Sequence, residues 1–186
     1  MSAAATEAEQ LSLHAGLLRQ AGTEQDQKAL ENAWRKTPQK LKKKSSLIGT
    51  YVSERLRFGD GSGCEAVLRR ALKRQWDPEL VRLFGLVEGR NLKQQLEFAE
   101  GCLGRFPEDP YLLLTLGRLC KKNQLWGKAR SYLEQSLQIR PDPVTCRELA
   151  TLLEQQGEHD AASACFRQGL NLVTGATGTT LVRSPG

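Results

Sequence analysis

Apolar residues return every three or four positions along most of the chain, and polar residues fill the positions between them. That spacing predicts amphipathic helices and no strand. The first begins around Leu11, Leu13, Leu17 and Leu18, breaks at Gly22, and gives way to a second through Ala29, Leu30, Ala33 and Trp34. Thr23 is placed to cap this second helix, with Asp26 three residues on, and Pro38 ends it. Residues 41–58 carry Leu47, Ile48, Tyr51, Val52 and Leu56 on one side. The run Gly59-Asp60-Gly61-Ser62-Gly63 then reads as a flexible hairpin turn. The return helix, 64–75, turns Val67, Leu68, Ala71 and Leu72 inward and Arg69, Arg70, Lys73 and Arg74 outward, and Trp76-Asp77-Pro78 stops it. A short helix over 79–87 breaks near Gly89, and a longer one over 92–106 ends at Pro107.

The last two stretches repeat one another. Residues 110–141 carry Leu113, Leu116, Gly117, Ala129, Leu133 and Ser136, and residues 143–173 carry Cys146, Leu149, Ala150, Ala162, Phe166 and Gly169. Gly117 precedes Ala150, and Ala129 precedes Ala162, by the same 33 residues. A period near 34 with small residues where two helices meet is the pattern of the tetratricopeptide hairpin. The fold expected is therefore all-α, a right-handed α-solenoid of about five such hairpins. Their expected spans are 1–38 (divergent), 39–77 (basic), 78–109 (shortened), 110–142 and 143–173, and residues 174–186 read as a disordered tail.

Composition narrows the function class. A hydrophobic share of 39% with 6% aromatics suits a repeat array, which packs Leu and Ala between neighbouring hairpins. No stretch reaches the roughly 20 apolar residues of a membrane span, and the N-terminus lacks the basic-then-apolar order of a secretory signal, so the chain as it stands is expected in the cytoplasm. The five cysteines (64, 102, 120, 146 and 165) lie far apart and read as small hydrophobes in a reduced compartment, and His14 and His159, both expected at the surface, stand at no zinc-ligand spacing from them. The net charge of +6 is uneven: residues 35–74 hold twelve Lys or Arg against Glu54, Asp60 and Glu65, and the remainder sums to −3. One basic hairpin on a mildly acidic body implies an acidic partner or an anionic membrane surface.

The run Leu68-Arg69-Arg70-Ala71-Leu72-Lys73-Arg74-Gln75-Trp76-Asp77 is joined by Leu114 to Cys120, by Leu125-Trp126-Gly127-Lys128-Ala129 and by Arg140-Pro141-Asp142. Together they resemble the C-terminal half of the proteobacterial HemY family, tetratricopeptide proteins associated with haem biosynthesis. The resemblance runs over about residues 24–172. It implies a non-catalytic scaffold linked to late protohaem (porphyrin) synthesis, with late haem-pathway enzymes as partners and a parent protein on the cytoplasmic face of the inner membrane. The residues agree with a binding role: there is no catalytic Ser/His/Asp or Cys/His set and no phosphate loop, and Glu154 with Glu158 reads as a solvated helix face. The alternatives are an adaptor for another membrane or envelope assembly, and a porphyrin or haem carrier.

Two candidate surfaces follow. In a tetratricopeptide array the first helices of the hairpins line a groove, and the register places Tyr111, Leu114, Arg118, Lys121, Arg147 and Thr151 there, with Glu154 beyond them. On this reading Arg118→Glu abolishes partner capture and leaves helicity unchanged. The second is the basic surface of Lys40, Lys42, Lys43 and Lys44 with Arg69, Arg70, Lys73 and Arg74, suited to an anionic membrane or an acidic protein. Nucleic acid is disfavoured, because no stacking aromatics are interleaved with these charges. No cofactor or metal is expected: no cysteine precedes a proline in a haem-regulatory pair, and no ligand cluster stands out.

Overall fold

A computed structural model describes residues 3–175, with side chains from residue 6. Among the described residues there are ten α-helices and no strand. The all-α, hairpin-repeat class expected from the sequence is the class found. The expected tail lies outside the described residues except for Thr174, the last residue of the final helix, and Gly175, its left-handed cap. Contacts divide the chain into two compact units, residues 1–95 and 96–186.

The first unit contains α1 (Ala3–Thr23), α2 (Gln27–Lys36), a 3-10 turn (Leu41–Lys43), α3 (Ser45–Arg57), α4 (Cys64–Arg74), α5 (Pro78–Leu86) and the start of α6 (Leu92–Cys102). Helix α1 packs on α2 and α3, and α3 packs in turn on α2, α4 and α5. The core residues Leu18, Leu30, Leu47, Val52, Leu68 and Leu80 are fully buried. Helix α1 ends at Thr23, one residue past the break expected at Gly22, and the cap of α2 is Asp26 rather than Thr23. The Asp26 carboxylate accepts the Ala29 amide at 2.8 Å, whereas the Thr23 hydroxyl donates back to the Arg19 carbonyl. Thr23 is still in the last turn of α1, whereas Asp26 has the extended backbone of a cap directly before Gln27. The helix expected over 41–58 is split: its lysines form the 3-10 turn, and α3 begins only at Ser45.

The Gly59 to Gly63 turn is held rather than loose. Arg55, on α3 and only 8% exposed, donates from Nε to the Asp60 carbonyl (3.0 Å) and from Nη2 to the Asp60 carboxylate (2.6 Å), the Ser62 carbonyl (3.1 Å) and the Ser62 hydroxyl (3.1 Å). Its Nη1 meets Glu31 of α2 and the Tyr51 hydroxyl. One guanidinium thus ties α2, α3 and the α3–α4 turn together, which its planar fork of donors allows. Tyr51 stacks on Trp34 with ring centroids 4.2 Å apart, and burial pushes its phenol up to about 12. The Ser62 hydroxyl and amide, with Arg55, hold the Asp60 carboxyl below its usual value.

The second unit contains the rest of α6, then α7 (Pro110–Lys122), α8 (Trp126–Ile139), α9 (Pro143–Gln155) and α10 (His159–Thr174). Helices α7 and α8 form one hairpin, α9 and α10 the next, and α9 also packs on α8 and α7. An aspartate–proline pair opens three helices: Asp77-Pro78 before α5, Asp109-Pro110 before α7 and Asp142-Pro143 before α9. Asp77 and Asp109 each accept two amides of the first turn and Asp142 accepts that of Thr145, and proline fills the position whose N–H would have no partner. These prolines are therefore starts as much as stops.

Of the repeat positions, Leu116, Gly117, Ala129, Leu133, Leu149, Ala150 and Ala162 are buried. A Cβ on Gly117 would lie 2.6 Å from Leu133 Cδ2 and Cγ, so α7 and α8 touch where only glycine fits. We expect Gly117→Ala to cost about 1–3 kcal/mol by overpacking, and Leu133→Ala to cost less in that background than in wild type, read by urea unfolding; an unchanged midpoint for Gly117→Ala would refute the close approach. Phe166 departs from the packing expected of it and is 38% exposed. Its counterpart Leu133 lies in a helix on which α9 packs, and no described helix follows α10 to do the same.

Candidate protein-binding surfaces

The six groove residues expected on α7 and α9 are not equally available. Leu114 is 2% exposed and Arg118 is 6% exposed. Arg118 Nε donates to Glu148 Oε1 at 2.9 Å, and Lys121 Nζ donates to Glu148 Oε2 at 2.8 Å and to the Glu148 carbonyl at 3.3 Å. Burial pushes the Glu148 carboxyl up, but the Lys121 ammonium and Arg118 guanidinium outweigh it and hold the group below the usual carboxylate range. Two of the expected recognition cations thus join α7 to α9. Arg118→Glu consequently tests the fold and not the groove, and the expectation that it leaves helicity unchanged does not survive the ion pair. Tyr111 is half-buried, with Arg140 bonded to its hydroxyl and 5.2 Å from its ring centroid. Thr151 donates to the Arg147 carbonyl, and Arg147 itself is exposed.

A groove on first-of-hairpin helices also exists in the first unit, where the sequence reading did not place one. It is an open cavity of about 500 Å³ lined by Arg19 of α1, Ser45, Ser46, Gly49, Thr50, Ser53 and Glu54 of α3, and Asp77 and Glu79 at the start of α5. Arg19 and Ser46 are exposed, and Thr50 and Ser53 are half-buried. The signal was present as Ser46, Thr50 and Ser53, hydroxyl residues three or four apart on α3.

The basic surface is assembled in part. Arg74 Nη2 reaches the Lys43 carbonyl at 3.5 Å, which brings the end of α4 to the 3-10 turn. Arg70 stands one turn before Arg74, and both are exposed, as is Lys43. Other members are engaged within the unit. Glu7 of α1 bonds Lys44 at 2.6 Å and Lys40 at 3.0 Å, and both lysines hold its carboxyl below the usual value. Lys42 donates to the Arg35 carbonyl and lies 5.6 Å from the Trp34 ring centroid. Arg69 pairs with Glu65 at 2.6 Å, and Lys73 is exposed. Glu7 was missed because it lies more than 30 residues from the lysines it meets.

Thiol chemistry finds little support here. Burial pushes Cys64 and Cys120 up to about 11 and raises Cys102, Cys146 and Cys165 as well, against the thiolate that nucleophilic attack or metal ligation needs. His14, expected at the surface, is half-buried with Nδ1 3.3 Å from the Thr37 hydroxyl. Among the described residues no group of three or more His, Cys, Asp or Glu is arranged to hold a metal ion.

Over 157 residues the chain is 25% identical to the protein HemY of Escherichia coli strain K12, and to the same degree to that of Shigella flexneri. The chain is HemY-like over most of its length. The match covers 84% of this chain and 39% of each relative, so the chain spans about two-fifths of the curated relatives it matches. No protein-family model matches the chain. Among solved structures, a crystal structure of MamA superposes with a TM-score of 0.57 over 96% of this chain and 100% of that one at 13% identity. MamA from Desulfovibrio magneticus RS-1, from residue 41 onward, gives 0.54 over 91% and 98% at 12% identity. At such identities these two speak for the helical-hairpin fold alone. Among the described residues of this HemY-like chain, no helix is long and apolar enough to cross a membrane.

Proposed function

We propose that this chain is a non-catalytic binding scaffold of the HemY type, serving late protohaem synthesis by holding pathway enzymes near one another. The observation that carries the reading is the similarity to HemY along 84% of the chain, on a fold that offers a first-helix groove. Haem-pathway partners and an inner-membrane setting for the parent protein come from that resemblance. The groove residues retained for recognition are Ser46, Thr50 and Ser53 with Arg19 in the first unit, and Arg147 with Thr151 in the second. The hydroxyls suit a peptide backbone, Arg19 stands among the carboxylates of Glu54, Asp77 and Glu79, and Arg147 suits an acidic side chain. The basic surface around Lys43, Arg70 and Arg74 serves as a second, electrostatic docking face for an anionic membrane or an acidic protein.

In-cell crosslinking followed by mass spectrometry tests this, comparing wild type with Ser46→Arg and Arg147→Glu, which alter exposed groove positions and leave the core intact. We expect late haem enzymes among the wild-type crosslinks and at least a tenfold loss in one groove variant. In the same cells, Lys43→Glu with Arg70→Glu should lower recovery in the membrane fraction. Capture of unrelated envelope proteins would favour the general adaptor instead. Capture indifferent to both groove variants would sink the groove assignment.

A further inference from the structure

The basic face of the first unit lies where one hairpin passes the chain to the next. Lys40, Lys43 and Lys44 belong to the link between α2 and α3, and Arg74 ends α4 just before the link to α5. Arg74 Nη2, 3.5 Å from the Lys43 carbonyl, brings the end of α4 against the first of these links. A hairpin in a stacked array is covered by its neighbours along its helix faces, and the links between hairpins lie off those faces.

What the face lacks decides the kind of partner. Among the described residues, the large hydrophobic side chains that stand exposed are Leu13 and Leu17 of α1 and then Leu86 and others after it, so none falls between residues 18 and 85. A protein interface is built around desolvated aromatic or aliphatic anchors and is poor in lysine. Lysine and arginine without such an anchor suit a partner that presents charge alone, as the phosphates of an anionic bilayer do.

One oxyanion is already seated on this face. The Glu7 carboxylate meets Lys44 Nζ at 2.6 Å and Lys40 Nζ at 3.0 Å, and these ammoniums keep it ionised. Two lysines four residues apart thus converge on one carboxylate, as they would on one phosphate. The contact is open to exchange, since the Lys40 and Lys44 side chains retain 77% and 47% of their exposure and Glu7 retains 26%. Ion pairs this hydrated are weak and yield to competing anions.

We propose that Glu7 is an internal counter-ion of the basic face, holding Lys40 and Lys44 in the free protein and yielding them to lipid phosphates when that face meets an anionic bilayer. The exchange rests on the electrostatic docking face proposed above, with lipid rather than an acidic protein as its occupant. A single carboxylate masks the two lysines from sparse charge, and a dense array of phosphates displaces it.

Co-sedimentation of the 186-residue chain with vesicles tests this, comparing pure phosphatidylcholine with equal parts phosphatidylcholine and phosphatidylglycerol. We expect wild type to bind only the anionic vesicles and to leave them as salt is raised. Glu7→Gln should bind them at least about fivefold more tightly, the effect of one added cation near such a surface, with unchanged helical circular dichroism. Glu9→Gln removes the same charge two residues on, toward the other side of α1, and should change binding much less. Lys40→Gln with Lys44→Gln should cost Glu7→Gln more than it costs wild type, because Glu7 no longer offsets those lysines. No gain from Glu7→Gln, or an equal gain from Glu9→Gln, would overturn the exchange. The docking face would still stand in that case if Lys43→Gln with Arg70→Gln weakened wild-type binding. Binding absent even from Glu7→Gln, or equal on neutral vesicles, would overturn lipid as the occupant along with the exchange, and leave the face to an acidic protein.

Discussion

Arg118→Glu lowers the stability of the second unit by about 3–5 kcal/mol, the usual cost of leaving a buried charge without its partner. The substituted carboxylate would face Glu148, where the wild-type nitrogen lies 2.9 Å away and the two side chains are 6% and 17% exposed. Only Lys121 would remain to separate two like charges. Against a total of about 5–15 kcal/mol for a typical domain, such a loss lowers Tm on the order of 10 °C. Arg118→Met removes the charge and leaves Glu148 with Lys121, so it should cost much less. The difference between wild type and Arg118→Met should also depend on pH. The folded Glu148 carboxyl is held below its ordinary value, so its contribution is present above that value and lost as pH falls through the lower folded one. Thermal unfolding at neutral pH and near pH 3 reads both effects, and an unchanged Tm for Arg118→Glu would refute the buried ion pair.

Arg55→Ala is the second large effect, expected at about 2–4 kcal/mol, below the full cost of orphaning a buried charge because the carboxylates it leaves are partly hydrated. Glu31 and Asp60 retain 44% and 33% of their side-chain exposure, while the Arg55 side chain retains 10%. Arg55→Lys should rescue little. A single ammonium cannot reach Glu31, both ends of Asp60 and both oxygens of Ser62, which the guanidinium fork spans. Limited proteolysis adds a local readout: cleavage between Gly59 and Gly63 should speed up in Arg55→Ala more than at other turns. Equal protection of that turn in both proteins would show that Arg55 does not hold it.

Much of the architecture was legible because it is written in local spacing. Apolar periodicity marked the helices. The 33-residue recurrence of small residues marked the last two hairpins, since a helix crossing that admits only glycine or alanine leaves the same signature each time it is built. The aspartate–proline starts of α5, α7 and α9 were equally legible, and the last two repeats were read from Pro110 and Pro143, but Asp77-Pro78 was read only as a stop. Local spacing also misled: Thr23 and Asp26 both satisfy the pattern of a cap, and only backbone geometry chose Asp26. The candidate site was less legible. Arg118, Lys121, Lys40 and Lys44 stand in the sequence as open cations, and their counter-charges Glu148 and Glu7 lie about 30 residues away or more.

The sequence by itself determined the class of this protein: all-helical, built of hairpins, similar to HemY and without an evident catalytic set. Periodicity and small-residue recurrence are properties of single helices and of neighbours in the chain, and they survive without knowledge of the third dimension. Only the tertiary structure decided which charges are spent on holding helices together and which face solvent. An ion pair across 27 or 30 residues has no pattern in sequence. Nor does the sequence show that Arg19, Asp77 and Glu79 meet the α3 hydroxyls in one 500 Å³ groove, or that Leu13, Leu17, Phe166, Leu170 and Val173 are exposed. Whether an apolar position is buried depends on which helix comes to lie over it, and that is settled by packing rather than by spacing along the chain.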